Sequence, residues 1–529
     1  MMPHLRILVA VTCSLCVLAS RSANADEAIT LGLRYQIPVA PQSERYHTLH
    51  RDAQWSPSAT AIIVCDMWDS HHCYQAVQRS TELAPRLNQV LNDARKRGAT
   101  IIHAPSGCMA AYTNHSARKR AMEAPAANGY PDEIDKWCYT IPAEEKVKYP
   151  IDQSDGGEDD TPEEHAAWEL QLKKEGRSVR APWQKQMDLL TIDEDQDFIS
   201  DQGKEIWNIL QSRGITNVIL AGVHTNMCVL GRPFGLRRMA QAGKQVVLLR
   251  DLTDTMYNPA AWPYVSHFSG TDLIIDHIER HICPTITSDQ WIGGQAFRFA
   301  ADKRPKIAVV MNESEYDTEQ TLTKYVEENL RRDHRIGFIY GSQAQPDTFP
   351  SIDSIADADL LILSVRRRTP PVGQLNVVRG FIAAGKPVIG IRTSSHPFHL
   401  RNDKPADGFA DWPTFDADVN GGNYTNHYGN ELIATVTMVN QQFDHPILKG
   451  VDQKPFKAGG SLYKVSPLDP RATVLLMGAI DDQAPEPIAW TFVRQDSGRT
   501  FYTSLGAAKD FDNPSFKTLL RNAVDWAFE

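Results

Sequence analysis

The segment that most constrains the fold runs from Val218 to Leu230. It begins with an apolar run through Ala221, which is typical of a strand buried on both faces of a parallel sheet. Gly222 ends the run, and a short polar turn then brings Cys228 to the start of an amphipathic segment. A cysteine at a helix N-terminus faces unpaired N–H groups and the positive end of the helix dipole, which favour the thiolate. The pattern predicts either a nucleophile or a buried structural cysteine.

Strand and helix patterns alternate along most of the chain, which predicts sheets that carry helices on both faces. At 529 residues the chain is too long for one hydrophobic core. The alternation begins again at Lys306, so we predict an α/β fold of two three-layer α/β/α domains with parallel sheets. The predicted divisions are a signal peptide at 1–25, an N-terminal arm at 26–57, a first domain at 58–296, a linker at 297–305 and a second domain at 306–529.

The first residues have the pattern of a secretory signal peptide. A short basic stretch precedes an apolar run from Ile7 to Ala19, which is too short to span a bilayer, and Ala-Asn-Ala ending at Ala25 is a small-x-small cleavage signal. We predict cleavage after Ala25 and a periplasmic or secreted protein with no membrane contact afterwards. A retained anchor is the weaker alternative, because no stop-transfer pattern follows.

The net charge and the cysteine spacing of the chain limit which ligands the protein is expected to bind. A net charge of −10 argues against nucleic acid and is compatible with a small neutral or cationic substrate. Two of the 8 cysteines lie in the predicted signal peptide. In an exported protein the others allow disulfides, such as Cys108 with Cys138. Their irregular spacing contains no CxxC, which argues against structural zinc.

A second buried strand is predicted from Thr60 to Cys65, and Asp66 follows it directly. Open α/β sheets place their chemistry at the carboxyl ends of their strands. Asp66 and Cys228 each follow such a strand, so a parallel sheet can bring them to one edge. A carboxylate near a thiol can take its proton and return it to a leaving amine. We therefore predict that Asp66 and Cys228 act together.

These motifs, Val-Cys-Asp ending at Asp66 and Gly-Val-His-Thr-Asn-Met-Cys-Val around Cys228, resemble the isochorismatase-like cysteine hydrolase family. Its relatives include nicotinamidases, N-carbamoylsarcosine amidases and isochorismatases, and the resemblance covers about Ala59 to Cys283. It implies that Cys228 attacks a carbonyl carbon and that Asp66 shuttles the proton.

The resemblance also implies a role for the turn before Cys228. Backbone N–H groups near His224 and Cys228 would hold the oxyanion, and the peptide bond between Val223 and His224 would be cis. Trp68 and His72, just beyond Asp66, are predicted to shape the substrate pocket, although Trp68 has an equal claim to be ordinary core.

Two departures from the family pattern matter. The family's catalytic lysine has no counterpart in Leu189–Phe198; the nearest candidate is Lys185, which is either catalytic or a surface lysine. The Asp-x-His metal motif of nicotinamidases is replaced by His-Ala-Pro-Ser from His103. Asp69, His71 and His72 could ligate a metal in principle. Adjacent loop histidines are more often hydrogen-bonded or solvated, so we assign no metal and no cofactor.

The segment from Gly107 to Pro182 is long, irregular and partly acidic. It predicts either a cover for the site or a solvated loop.

The second half resembles the trehalose-utilisation (ThuA-like) family, which has a flavodoxin-like fold of the glutamine-amidotransferase type. The resemblance covers about Lys306 to Glu529. The motifs that carry it are Lys306–Val310, Ala358–Ser364, Gly390–His396, Gly421–His427 and Gly498–Gly506. Amidotransferases present a nucleophilic cysteine after Gly390, and this half has no cysteine, which rules that reaction out. His396 and His427 are either part of a polar, sugar-binding cleft or loop histidines.

The sequence therefore predicts an exported cysteine hydrolase that acts on a small amide, or less favourably an enol ether, fused to a carbohydrate-related domain. One alternative is a catalytically degenerate binding or scaffold protein, for which the missing lysine is the best support. Another places the activity in the second domain, on a sugar derivative. The expected partner is a small-molecule substrate, and a homo-oligomer is left open.

Overall fold

The computed structural model describes residues 27–529. The predicted signal peptide and its cleavage site after Ala25 lie outside the described residues. Within the described part, no helix combines the length and the apolar content that crossing a bilayer requires.

The first half contains an eight-stranded sheet with the order β2-β1-β8-β7-β6-β3-β4-β5. Strands β3 to β8 pair in parallel, and β1 pairs antiparallel with β2 and β8. The strands are β1 (Ile29–Pro38), β2 (Tyr46–Trp55), β3 (Thr60–Cys65), β4 (Thr100–Ala104), β5 (Phe198–Ile199), β6 (Asn217–Val223), β7 (Gln245–Asp254) and β8 (Thr285–Ile286).

Helices pack on both faces of this sheet. They are α1 (Tyr74–Lys96), α2 (Ser116–Met122), α3 (Pro162–Lys174), α4 (Gly203–Ser212), α5 (Leu236–Gln241), α6 (His267–His281) and α7 (Asp289–Ile292). Every residue of β3 and β6 is buried, as the continuous apolar runs predict. Successive side chains enter opposite cores, with Ile62 in one hydrophobic cluster and Ile63 in the other.

The register of β3 and β6 positions the site. The two strands pair in parallel, with Cys65 opposite Gly222. Asp66 and the turn after Val223 therefore begin at the same level of the same sheet edge.

The predicted N-terminal arm is a β-hairpin, β1 and β2, on the edge of the first sheet. It also contacts the second half: Val39 packs in the second half's core, and Arg45 Nη1 lies 3.3 Å from Glu319 Oε2. Further along the chain, Ser269 Oγ donates to the carbonyl of Arg331 at 2.6 Å. The two halves thus contact each other through several elements.

The second half contains a nine-stranded sheet with the order β10-β9-β11-β12-β19-β18-β17-β14-β15, and β13 pairs with β16 separately. The strands are β9 (Lys306–Asn312), β10 (Arg335–Tyr340), β11 (Leu360–Val365), β12 (Val388–Ile391), β13 (Asn426–His427), β14 (Ile433–Met438), β15 (Phe456–Ser461), β16 (Tyr463–Lys464), β17 (Thr473–Ala479), β18 (Glu486–Val493) and β19 (Arg499–Thr503). The helices are α8 (Thr318–Asn329), α9 (Val372–Ala383) and α10 (Pro514–Ala527).

The expectation of a parallel sheet holds for only part of this second sheet. Strands β10, β9, β11, β12 and β19 pair in parallel, whereas β18, β17, β14 and β15 continue antiparallel. The reason is visible between β18 and β19, where only residues 494–498 intervene and Arg494 N donates to Gly498 O at 2.9 Å. So short a connection makes a hairpin, because a parallel crossover needs a dozen or more residues. The α/β class predicted for both halves is confirmed.

Candidate active site

Asp66 lies at the end of β3, fully buried, with a backbone φ of +46°. Its Oδ1 accepts a hydrogen bond from Ser106 N at 2.7 Å. Its Oδ2 faces Arg232, whose Nε lies 3.2 Å away and whose Nη2 lies 3.1 Å away. The carboxylate is thus held by one backbone donor and one guanidinium.

Cys228 lies in a π-helical turn, Thr225–Val229, and not at the N-terminus of a regular helix. The expected helix is interrupted, and α5 begins only at Leu236. Pro233 stands between them and has no N–H to donate to the carbonyl one turn earlier. The side chain of Cys228 is buried beside Asp66, with the residue 8% exposed.

The pKa of the Cys228 thiol contradicts the expectation of a resting thiolate. Burial raises this pKa well above its usual value, the Asp66 carboxylate raises it further, and Arg232 opposes them. Burial also raises the pKa of Asp66, while Arg232, Cys228 and Ser106 oppose that rise. Burial disfavours both the Cys228 thiolate and the Asp66 carboxylate, and Arg232 opposes this effect. The site therefore favours a protonated thiol, with the neighbouring Asp66 carboxylate as its proton acceptor.

The cation that the structure places on Asp66 is Arg232. Lys185 is not brought into this group: its Nζ donates to Asp188 at 2.6 and 2.8 Å, and its side chain is 45% exposed. Burial lowers the pKa of Arg232, but Asp66 and Cys228 outweigh it and raise that pKa overall. Arg232 therefore supplies a fixed charge and does not transfer protons.

Sequence reasoning missed Arg232 because it searched for a lysine upstream of Cys228. The available signal was a basic residue four positions after the cysteine, in a turn whose helical pattern is broken by Pro233. Its contact with Asp66 depends on the path of that turn.

A cavity of about 10 Å³ lies beside Asp66, and Trp68, His71, Val223 and His224 are among its lining residues. This volume holds roughly one water molecule. Trp68 thus belongs to the hydrophobic core and also forms part of the wall of this cavity.

An aromatic stack forms one side of this cavity. Trp68 stacks on Trp183 with ring centroids 4.4 Å apart, and its Nε1 donates to Ser106 O at 3.0 Å. His71, and not the predicted His72, lines the cavity. The ring of His72 is half-buried and lies within electrostatic range of Glu158.

His224 stands at the start of the turn, after a Val223–His224 peptide bond that is cis. The residue is 2% exposed, and burial lowers its pKa to about 4, so its ring is neutral near pH 7. Among the described residues its Nδ1 has no hydrogen-bond partner. A buried polar atom without a partner in a cavity wall is a group that a ligand can satisfy.

Residues of the segment from Gly107 to Pro182 pack against the site, which favours the cover over the solvated loop. Asn226, in the Cys228 turn, donates to Gln153 Oε1 at 2.8 Å. Asp69 accepts from Arg177 Nη2 at 3.0 Å. Just beyond the segment, Trp183 stacks on Trp68. We call residues 107–183 the covering segment.

Two of the three side chains considered as metal ligands have internal partners, whereas His72 Nδ1 has no hydrogen-bond partner among the described residues. Asp69 accepts from Arg177, and His71 Nδ1 accepts from Cys73 N at 3.2 Å. Two other groups place potential ligand atoms within 4.8 Å of one another, and they are Cys73 with Asp159 and Asp160, and Glu158 with Asp160 and His165. Asp160 already accepts the N–H groups of Tyr74 and Gln75 at the start of α1. We assign no ion to either group.

All six cysteines of the described residues are free and buried. The pairing considered for Cys108 and Cys138 is therefore not formed.

The two family matches fall in different halves of the chain. Residues 163–262 match the family model described as the isochorismatase domain, and residues 306–527 match the ThuA model, described as trehalose utilisation. These two matches support a hydrolase-like fusion. We refer to its parts as the isochorismatase-like half and the ThuA-like half, and both predicted resemblances are confirmed.

Three solved structures are similar to a part of this chain. A ThuA-like protein from Bacteroides uniformis is 16% identical, with 44% of this chain and 95% of that chain covered and a TM-score of 0.33. A cysteine hydrolase from Pseudomonas syringae pv. phaseolicola is 16% identical, with 44% and 91% covered and a TM-score of 0.26. An isochorismatase family protein from Burkholderia thailandensis is 14% identical, with 44% and 93% covered and a TM-score of 0.25. No curated protein matches the chain.

Proposed function

We propose that the isochorismatase-like half hydrolyses a small amide, with Cys228 as nucleophile and Asp66 as proton shuttle. The observation that carries the proposal is a buried thiol beside the Asp66 carboxylate. Ser106 N donates to one oxygen of this carboxylate, and Arg232 contacts the other. Such a carboxylate can accept a proton at the moment of attack without a preformed thiolate.

In the first half-reaction, Asp66 takes the proton of Cys228 Sγ as the sulfur attacks the carbonyl carbon. Backbone N–H groups of the turn near His224 and Cys228 stabilise the oxyanion. The protonated Asp66 then gives its proton to the leaving amine as the C–N bond breaks, which leaves a thioester on Cys228.

In the second half-reaction, Asp66 takes a proton from water, whose oxygen attacks the thioester carbonyl. The C–S bond breaks, the acid is released, and the proton returns to Cys228 Sγ. Arg232 remains charged throughout and opposes the pKa rise that burial imposes on Asp66.

The site requires an opening step for this chemistry. Cys228 is only 8% exposed and is not among the residues that line the cavity of about 10 Å³, so a substrate does not reach its thiol in this conformation. Trp183 is the partly exposed member of the aromatic stack, so we propose that the covering segment moves to admit substrate.

The test is turnover of a panel of small primary amides by the full chain and by Cys228→Ala. Cys283→Ala is the matched control, because Cys283 is also free and 7% exposed but lies beside Leu248 and Glu279. We expect Cys228→Ala to abolish turnover and Cys283→Ala to retain it. Equal turnover by the wild type and Cys228→Ala would remove the nucleophile from the proposal.

A second candidate is a binding protein without turnover, which the raised thiol pKa and the small cavity favour. Trapping separates the two: an acyl-enzyme accumulates on Cys228 when an activated ester is mixed with the hydrolase and quenched in acid. Reversible binding of amides with no mass change on Cys228 would establish the binding protein instead.

We also propose that the protein is exported. The basis is the signal-peptide pattern that ends at Ala25. Mass spectrometry of the protein from a host that secretes it should give a mature N-terminus at Asp26. A cytoplasmic protein that keeps residues 1–25 would contradict export.

A further inference from the structure

Two side chains that line the cavity beside Asp66 carry a buried polar atom without a hydrogen-bond partner. Ser70 is 4% exposed and His224 is 2% exposed. Neither Ser70 Oγ nor His224 Nδ1 has a partner among the described residues. Ser70 lies between β3 and α1, and His224 directly follows β6, so two separate loops supply these atoms. Burying a polar group without a hydrogen bond costs free energy, so the two atoms together suit a small polar molecule bound between them.

The cavity matches a water molecule in size. Its volume of about 10 Å³ is roughly the space that one water needs. Trp68 and Val223 supply apolar parts of the wall, so a bound water depends on the polar lining residues, which include Asp66, Ser70 and His224. A buried water typically makes about three hydrogen bonds to such groups.

The polar wall can both donate hydrogen bonds to a water and accept them from it. His224 is neutral near pH 7, because burial lowers its pKa to about 4. A neutral imidazole has one N–H donor and one acceptor nitrogen, and the hydroxyl of Ser70 can donate or accept. The Asp66 carboxylate only accepts. A water held by Ser70 and His224 therefore keeps a proton available for Asp66.

Asp66 gains room for such a water during the proposed reaction. Its carboxylate accepts hydrogen bonds from Ser106 N and from two nitrogens of Arg232. The Cys228 thiol is a further donor to it. A carboxylate has about four acceptor positions, so these donors fill it in the resting protein. Once Cys228 is acylated, its sulfur has no proton to donate, and one position becomes free for water.

We propose that this cavity holds the water that hydrolyses the thioester, and that Ser70 and His224 are its positioning residues. The inference rests on the proposed hydrolase function and deepens it. Asp66 is fully buried, so a water that reacts with its help has to be held inside the protein. Holding the water in place before the attack removes much of the entropy cost of bringing it to the thioester.

The step balances in atoms and charge. Asp66 takes one proton of the water as the water oxygen bonds to the thioester carbonyl carbon. The C–S bond then breaks, the acid leaves, and the proton passes from Asp66 to Cys228 Sγ. Cys228 itself does not line the cavity. The carbon under attack lies beyond the sulfur, towards the N–H groups near His224 that stabilise the oxyanion.

The test separates the two half-reactions of the full chain with p-nitrophenyl acetate. After rapid mixing, the burst of nitrophenolate measures acylation, and the later steady release measures deacylation. We expect Ser70→Ala to acylate within about twofold of the wild-type rate and to deacylate about tenfold more slowly, the effect of one lost hydrogen bond. Unchanged deacylation, or equal slowing of both steps, would overturn the inference.

Two substitutions of His224 separate the positioning of water from support of the turn. His224→Phe keeps a ring but loses Nδ1, and it should also slow deacylation selectively. His224→Asn can place a side-chain amide atom near the position of Nδ1, so it should recover most of the lost rate. If His224→Asn deacylates no faster than His224→Phe, His224 does not position the water.

Thr271→Val is the matched control. Thr271 is 8% exposed, and its Oγ1 also has no hydrogen-bond partner among the described residues. It lies in α6 and not in the cavity wall. We expect this variant to keep both rates, with a thermal melt of every variant to show that it is folded. A loss of deacylation equal to that of Ser70→Ala would overturn the inference.

A crystal structure of the wild type tests the water without any variant. We expect an ordered water within hydrogen-bond distance of both Ser70 Oγ and His224 Nδ1. A dry cavity would overturn the inference even if Cys228 is the nucleophile. A wild type that gives no burst would instead overturn the proposed hydrolase, so the two failures are distinguishable.

Discussion

Arg232 contacts a single oxygen of Asp66 with two of its nitrogens, at 3.2 and 3.1 Å. This pair is the main electrostatic feature of the candidate active site, because it puts a fixed positive charge next to a fully buried carboxylate. A guanidinium stays charged under all physiological conditions, so its role differs from that of a lysine able to exchange protons.

Replacing Arg232 should remove the base function of Asp66. Since Arg232 lowers the pKa of Asp66, Arg232→Gln should raise that pKa and move the acid limb of the kcat/KM profile to higher pH. We expect kcat/KM at pH 7 to fall at least about 100-fold, the lower range for loss of a general base. Arg232→Lys keeps the charge and should lose less.

Lys185→Gln is the control for that experiment. Lys185 pairs with Asp188 on the surface, so its loss should leave the profile unchanged. A large loss in Lys185→Gln together with normal Arg232→Gln activity would show that the lysine is the family's third group after all.

Removing Trp183 should expose the site. Its ring stacks on Trp68 and packs against the buried cluster that contains Cys228, so Trp183→Ala should increase the rate at which iodoacetamide labels Cys228. Peptide mass spectrometry measures the rate at that residue. Trp412→Ala, in the ThuA-like half, should leave it unchanged; an unchanged rate in Trp183→Ala would show that the cover lies elsewhere.

Stability should fall in mildly alkaline solution because of His267. Its Nε2 lies 2.9 Å from Asp254 Oδ1 and its Nδ1 lies 3.1 Å from Asp159 Oδ2. Burial lowers the pKa of His267, but these carboxylates outweigh burial and raise it to about 9. The charged histidine therefore stabilises the fold fully below about pH 6.5, and this contribution is lost as the pH rises towards 9.

The loss amounts to about 3 kcal/mol in the free energy of unfolding for a shift of this size. Urea titrations between pH 6 and pH 9.5 measure it. His267→Gln should be less stable at pH 6 and should show a flatter pH dependence. An equally steep decline in that variant would assign the effect to another group.

Gly222 should tolerate no side chain. Its φ is +99°, and a Cβ there would lie 2.1 Å from Cys65 O in the paired strand. Gly222→Ala should therefore cost more than the roughly 1–3 kcal/mol of backbone strain alone. Gly243→Ala is a matched control, since its φ is +77° with no atom within 4 Å of the added Cβ, and it should cost only the strain. An equal loss of stability in the two variants would show that β3 and β6 can move apart at Gly222 without further cost.

The sequence was sufficient to predict the strands that carry the site. The apolar runs before Asp66 and Gly222 have few interpretations other than strands buried on both faces, and parallel strands end at a common edge. The convergence of Asp66 and Cys228 follows from that geometry alone.

The rest depends on packing that no local pattern encodes. The contact of Arg232 with Asp66 is set by a turn that Pro233 interrupts. The protonation of Cys228 is set by its burial, which outweighs the helix-end effect that sequence reasoning emphasised. The antiparallel pairing of β17, β18 and β19 follows from the short connections between them, residues 480–485 and 494–498.

The β1–β2 hairpin has a consequence for how the chain is made. Arg34 in β1 pairs with Thr285 of β8, so this pairing can form only after Thr285 has been synthesised. Val39 packs in a core made of residues that are synthesised later still. During synthesis the β1–β2 hairpin therefore has one unpaired edge until β8 and the core of the second half have left the ribosome. Throughout that interval the unpaired strand edge of the nascent chain is a template for pairing with other strands.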